Sequence, residues 1–285
     1  MSKIKEKGME IVFLVAACVS ILSVALICFF LFVNGIPAIR KIGVGDFLLG
    51  EIWRPSNKIF GILSMILGSI YVTIGAIIIG VPVGILAAAF MAKFCPPKIY
   101  KVLKTGINLM AGIPSVVYGF FGLCVLVPMI RELVGGDGNS MLTASILLGI
   151  MILPTIIGVS ESAISAVPEG YYEGSLALGA TKERSVFKAI LPAAKSGILA
   201  GVVLGIGRAI GETMAVVLIA GNQVQMPDEI TDGVRTLTAN IVLEMGYATG
   251  LHREALIATG CVLFVFILLI NLIFSVLKNR GAKYD

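Results

Sequence analysis

The stretch VPEGYYEGSLALGATKERSVFKAILP, residues 167–192, is the polar segment around which this otherwise apolar chain is organised. Pro168 ends the preceding helix, and acidic residues near the start of 169–178 favour a short helix through the helix dipole. Gly179 follows where a left-handed C-terminal cap is expected, and Thr181 is suited to cap a second short helix. The stretch therefore predicts two short helices, joined by a tight turn, that lie parallel to a membrane.

The composition outside this stretch is that of a membrane protein. Apolar residues make up 58% of the 285 residues and charged residues only 14%, whereas soluble domains carry roughly 25% charge. Apolar runs of about 20 residues cross a bilayer as helices, because a helix satisfies its backbone groups internally. We therefore expect an all-α polytopic membrane protein with six transmembrane helices, near residues 10–33, 60–92, 106–130, 141–160, 193–221 and 254–277.

Lysine and arginine are concentrated in four segments: the N-terminus, the second connection, the fourth connection and the C-terminal tail. The positive-inside rule places these segments in the cytoplasm, so both termini are expected on the cytoplasmic side of the cell membrane. The net charge of +5 then reflects topology rather than affinity for nucleic acid. The first apolar run is too long for a signal peptide and is expected to be retained.

Several kinds of chemistry are not expected of this chain. The five cysteines have no metal-binding spacing, and His252 is the only histidine. No GxxxxGKS or GxxxxGKT motif occurs, so the chain is not expected to hydrolyse ATP by the P-loop route. A membrane enzyme is the least favoured class, because no nucleophile–base pair or metal cluster is evident.

Two charged residues, Arg208 and Glu212, fall within the predicted fifth span. Charge at this depth is costly, so both side chains are expected to face the protein interior or a water-filled path. At positions i and i+4 of one helix they can pair. One interpretation is a structural ion pair. The other is that Arg208 marks an anion pathway, since its fork of donors suits oxyanions, and that Glu212 tempers its charge.

The polar stretch also carries a motif. Glu173, Gly179 and the Leu191–Pro192 pair follow the spacing Glu-Ala-Ala-x3-Gly-x9-Ile-x-Leu-Pro, with Gly and Ser in place of the Ala pair and Ala189 in place of Ile. This spacing resembles the coupling loop of permease subunits in ABC-type importers, which docks in a groove of an ATPase; an ordinary amphipathic interface loop is the alternative. By this resemblance the coupling residues are Tyr172, Glu173, Gly174, Ser175, Leu178, Gly179, Ala180, Thr181, Leu191 and Pro192.

Three further stretches resemble phosphate-specific ABC importer permeases, and the PstC-type subunit most closely. They are NLMAGIPSVVYGFFGL (108–123), GRAIGETMAVVLIAGN (207–222) and RTLTANIVLEMG (235–246). The likeness implies a type I ABC importer permease fold, with an N-terminal helix and external loop (1–58) and a core domain (59–278). It also implies a permease subunit that forms half of the pathway of an ATP-driven importer of inorganic phosphate.

The first of these stretches contains Gly112, Pro114 and Ser115. Gly and Pro interrupt the predicted third span near its inner end, so that a helix N-terminus opens there toward an anion. A packing kink accounts for the same residues equally well. The candidate substrate pathway therefore consists of Arg208, Glu212, Gly112, Pro114 and Ser115.

The resemblance also implies partners. They are a second homologous permease (PstA-type), a dimer of a cytoplasmic ATPase (PstB-type), an external phosphate-binding protein (PstS-type) and membrane lipid, with no nucleic acid. No cofactor is expected on this chain, and ATP with Mg²⁺ belongs to the partner ATPase. The alternatives are a permease for another oxyanion, such as sulfate or molybdate, and a membrane scaffold for phosphate sensing.

Overall fold

The structure is a computed structural model, and it describes residues 3–281. Residues 282–285, part of the tail on which the predicted orientation depends, lie outside the described residues. The regular secondary structure of the described part is helical apart from a two-stranded antiparallel ribbon of β1 (Trp53–Arg54) and β2 (Ile59–Phe60). Its longer helical segments are α1 (Lys3–Ile42), α2 (Val44–Leu49), α3 (Leu63–Phe94), α4 (Pro97–Gly112), α5 (Ser115–Val134), α6 (Met141–Ser165), α7 (Glu169–Ala177), α8 (Lys182–Ala193), α9 (Lys195–Gly211), α10 (Met214–Ile219), α11 (Leu237–Glu244) and α12 (Gly250–Gly281).

The predicted all-α polytopic fold is confirmed. Among the described residues, α1, α3, α5, α6 and α12 are each long and apolar enough to cross a bilayer. α8 and α9 meet at an angle of 73° and give a sixth span if they are counted as one. The division into an N-terminal unit (1–58) and a core domain (59–278) stays a prediction.

The third span begins later than the predicted residue 106. Ile113 is extended, with φ −69° and ψ 127°, because the residue before a proline is driven out of the helical region. The chain therefore forms two helices here: α4, which ends at Gly112, and α5, which begins at Ser115 after Pro114. α4 is amphipathic and is not among the candidate spans.

The fifth span is also interrupted, at both ends of α9. Pro192 lies in the last turn of α8 (Leu191–Ala193), which precedes the bend at Ala194. At the other end α9 stops at Gly211, and the helix resumes only at Met214. The predicted continuous helix over 193–221 is therefore wrong, and the second break falls beside the charged residues.

Close packing between α3 and α6 forms the centre of the protein. A Cβ atom on Gly80 would lie 2.8 Å from the carbonyl oxygen of Gly149, so the backbones touch at this point. Small residues at such positions let membrane helices approach each other closely, as van der Waals packing requires in lipid. α3 and α6 thus form a rigid pair, against which the interrupted helices are placed.

Candidate functional site

The turn between α7 and α8 has the geometry that the sequence predicts. Gly179 has a φ of 84°, in the left-handed region, and Thr181 caps the second helix, its hydroxyl oxygen accepting a hydrogen bond from the amide of Arg184 at 3.3 Å. The two short helices and their turn are therefore confirmed as local structure. Their role in docking an ATPase stays a prediction.

One face of the coupling element (residues 167–192) packs against the rest of the protein, and the other face is exposed. Tyr172 packs against a cluster of buried apolar residues that includes Met91 and Ile164. Leu178 is 91% exposed at the tip of the turn. Of the ten predicted coupling residues, those exposed are Glu173, Gly174, Leu178, Gly179, Thr181 and Pro192, and those half-buried are Tyr172, Ser175, Ala180 and Leu191.

A lysine of α3 ties this element to the membrane core. The Lys93 ammonium lies 3.0 Å from a carboxylate oxygen of Glu169 and 5.5 Å from the centre of the Tyr172 ring. The lysine side chain is mostly buried, whereas Glu169 is largely exposed. The first turn of α7 is therefore held against the end of α3 by both an ion pair and a cation–π contact.

The predicted pairing of Arg208 with Glu212 is wrong. Glu212 is extended, with ψ 136°, so the two residues do not share a helical face. A Glu212 carboxylate oxygen instead accepts a hydrogen bond from the Ala215 amide at 3.3 Å, which caps α10. Among the residues whose side chains the structure describes (7–273 and 276), the half-buried Arg208 forms no ion pair with a carboxylate.

The other interruption, at residues 112–115, lies in the same region. The Tyr118 hydroxyl donates to the carbonyl of Met110 at 2.9 Å, across the break between α4 and α5. The same hydroxyl lies within electrostatic reach of Arg208. The first turns of α5 also touch α10, since a Cβ on Gly119 would lie 2.8 Å from the Cα of Ala215. The structure thus brings the two helix breaks together.

This arrangement suits an anion. Arg208 supplies a guanidinium, and α5, 20 residues long, begins at Ser115 with amide groups that have no partner within the helix. Gly112 and Pro114 are exposed and Ser115 is half-buried. Proteins bind oxyanions through the paired N–H groups of a guanidinium and through the free amides at a helix N-terminus.

Sequence reasoning did not identify Tyr118 or Thr238. Tyr118 lies one turn after Pro114, and a side chain at that position of a helix points back toward the start of the helix. The spacing between Pro114 and Tyr118 could therefore have indicated that Tyr118 reaches the break. Thr238, on α11, donates to the carbonyl of Glu212 at 2.9 Å across a separation of 26 residues. No local pattern indicates such a contact, which holds the backbone at the second break.

A second cluster of polar residues links α11 to the β-ribbon and to the start of α12. Glu244 is buried, and its carboxylate accepts from Arg235 at 2.6 Å and from the Trp53 indole at 2.9 Å. His252 contacts the same carboxylate at 2.8 Å. This cluster holds the end of α11 in place through Glu244. The hydrogen bond from Thr238 to the Glu212 carbonyl holds the start of the same helix against the break at 211–214.

Comparison with known proteins places this chain in a family. Residues 80–282 match the model of the binding-protein-dependent transport system inner membrane component. The chain is 42% identical over 276 residues to the probable ABC transporter permease protein YqgH of Bacillus subtilis, covering 94% of this chain and 89% of that protein. It is 33% identical over 261 residues to the phosphate transport system permease protein PstC of Mesorhizobium japonicum, covering 84% and 80%.

A solved structure shares the fold. A chain of a bacterial alginate ABC transporter, in complex with a pentasaccharide-bound periplasmic protein, aligns with a TM-score of 0.66 at 16% identity, over 97% of this chain and 96% of that one. The chain therefore belongs to the family of binding-protein-dependent transport system inner membrane components, and it is a permease subunit of an ABC importer with the type I fold.

Proposed function

We propose that this permease conducts inorganic phosphate into the cell, with Arg208 as the cationic residue of its pathway. One observation carries the proposal: Arg208 is half-buried in the last turn before the break at 211–214, within electrostatic reach of Tyr118 at the other break, and has no carboxylate partner among the residues whose side chains are described. A guanidinium left without an internal counter-ion at membrane depth favours a mobile anion in its place.

The similarity to proteins named as phosphate transport system permeases supports phosphate over other oxyanions. Glu212 lies four residues from Arg208 and its carboxylate is engaged in capping. In this proposal the negative charge of Glu212, close to Arg208 along the chain but not paired with it, weakens the hold of the guanidinium on an anion without neutralising it. Conduction requires such moderate binding, because an ion that is held too tightly is not released.

The partners follow from the same proposal. The exposed face of residues 167–192 docks an ATPase, which hydrolyses ATP with Mg²⁺, and a second homologous permease supplies the other half of the pathway. An external phosphate-binding protein delivers the substrate. The coupling element and both termini then lie in the cytoplasm, in agreement with the positive charge of the connections on that side.

Competitive uptake tests this function. The chain is expressed with its partner permease, ATPase and binding protein in cells that lack their own phosphate importer, and uptake of radiolabelled phosphate is measured with excess sulfate, molybdate or unlabelled phosphate. We expect competition by unlabelled phosphate alone. Uptake of labelled sulfate or molybdate in place of phosphate contradicts the proposal and identifies a permease for another oxyanion.

A further inference from the structure

We propose that Glu161 is a positioning residue for transport, which sets the place of the 112–115 break by clamping α4 against α6. Glu161 is only 7% exposed, near the end of α6. Its two carboxylate oxygens are both used: one accepts from the Tyr100 hydroxyl at 3.0 Å and the other from the Lys104 ammonium at 2.6 Å. Both donors belong to α4.

Because there are two donors, the clamp holds α4 in one orientation. Tyr100 and Lys104 are four residues apart and therefore lie on one face of α4. Two hydrogen bonds to a single carboxylate fix both the rotation of α4 and its position along α6, which a single contact does not. The hydrogen bond to Glu161 raises the pKa of Lys104 above its usual 10.5, so the ammonium stays charged at physiological pH.

The clamp is connected to the pathway through the helix itself. Six residues beyond Lys104, the carbonyl of Met110 accepts the hydrogen bond from Tyr118, and Gly112 ends the helix. A displacement of α4 at the clamp is therefore passed to the break, since a helix of 16 residues moves as a rigid body over this length. Tyr118, which spans this break, is in turn within electrostatic reach of Arg208.

The ion pair is the polar part of a larger contact between α4 and the rest of the protein. Apolar contacts also join α4 to the coupling side of the protein, through Ile107 and Tyr100. The ion pair between Lys104 and Glu161 adds a polar contact to these apolar ones. Lys104 is already one-third exposed, so water reaches the ammonium, whereas Glu161 stays buried while α4 is in place.

This inference rests on the proposed function for its transport readout, and its test has a second readout that does not. The complete importer is reconstituted in proteoliposomes, where phosphate import and ATP hydrolysis are measured together. The variants are Glu161→Gln, Lys104→Met, Tyr100→Phe and the exchanged pair Lys104→Glu with Glu161→Lys. Lys101→Met, an exposed lysine of the same helix, is the matched control.

We expect Glu161→Gln and Lys104→Met to lower the phosphate imported per ATP by about tenfold, because a charge-assisted hydrogen bond changes an equilibrium by roughly one to two factors of ten. Tyr100→Phe has a smaller effect of the same sign, and the exchanged pair recovers part of the loss. ATP hydrolysis without phosphate rises in the single variants. Lys101→Met behaves as the unmodified protein.

The alternatives give distinct results. If Glu161→Gln matches Lys101→Met in both readouts, the clamp has no role in transport. If the charge variants lose protein abundance, Tyr100→Phe decides: unchanged phosphate per ATP in that variant overturns the proposal in favour of a purely structural contact. If the unmodified importer hydrolyses ATP but imports no phosphate, the proposed function fails, and the phosphate-free ATPase rates still test the clamp.

Discussion

Replacement of Gly179 by valine tests the coupling turn in the most direct way. Gly179 has a φ of 84°, and a Cβ placed there would meet no atom within 4 Å. The cost is therefore conformational and not a clash: about 1–2 kcal/mol for a non-glycine residue in the left-handed region, and more for a β-branched one. That energy lowers the ratio of native to non-native turn by a factor of roughly 5–30.

The assay is a pull-down of the purified partner ATPase by the membrane-embedded permease, with phosphate uptake measured in parallel. Gly179→Val should reduce both by up to that factor while the protein level in the membrane is unchanged, because the turn is exposed. Gly179→Asn, which tolerates a positive φ, should lose less. Gly170→Val is the control, since Gly170 is helical and also has open space around it. Equal binding by Gly179→Val and Gly170→Val refutes the reasoning.

Three other substitutions have defined outcomes. Glu212→Gln keeps an oxygen that caps α10 but removes the charge near Arg208, so KM for phosphate and maximal uptake should fall together; an unchanged KM contradicts this role. Lys93→Met should weaken ATPase binding in pull-downs by no more than about fivefold, because its partner Glu169 is exposed and ion pairs with an exposed partner contribute about 1 kcal/mol or less. Complete loss of ATPase binding argues against this account. Thr238→Val leaves the Glu212 carbonyl without its donor, which costs about 1–3 kcal/mol, and should therefore lower uptake. Thr238→Ser keeps the hydroxyl donor and should keep the uptake; equal uptake by the two variants refutes the role of this bond.

The sequence is sufficient to predict the coupling turn, because its determinants are local. Gly179 and Thr181 act on the backbone within a few residues, so a glycine after one short helix and a threonine before the next define the geometry. The helical class and the approximate spans follow equally directly from apolar runs. Pro114 also marks the break that the structure shows, although the predicted span was drawn through it.

The pairing of Arg208 with Glu212 failed for a physical reason. It assumes one continuous helix, and the helix is interrupted where Glu212 caps α10 and Thr238 binds the Glu212 carbonyl. The second of these is a contact between distant segments. The clamp on Glu161 is similar, since its donors are 57 and 61 residues away in sequence. Periodicity reports which faces are apolar, but it does not report which polar groups meet across helices.

The central claim is that Arg208 is the cationic residue of a phosphate pathway. Its most direct test is phosphate import by the reconstituted importer with Arg208→Gln, beside Arg208→Lys, at equal protein level and equal ATPase binding. We predict that Arg208→Gln lowers import by at least about tenfold, because charge-assisted hydrogen bonds to the anion are lost, and that Arg208→Lys retains part of it. Import by Arg208→Gln at the rate of the unmodified protein contradicts the account.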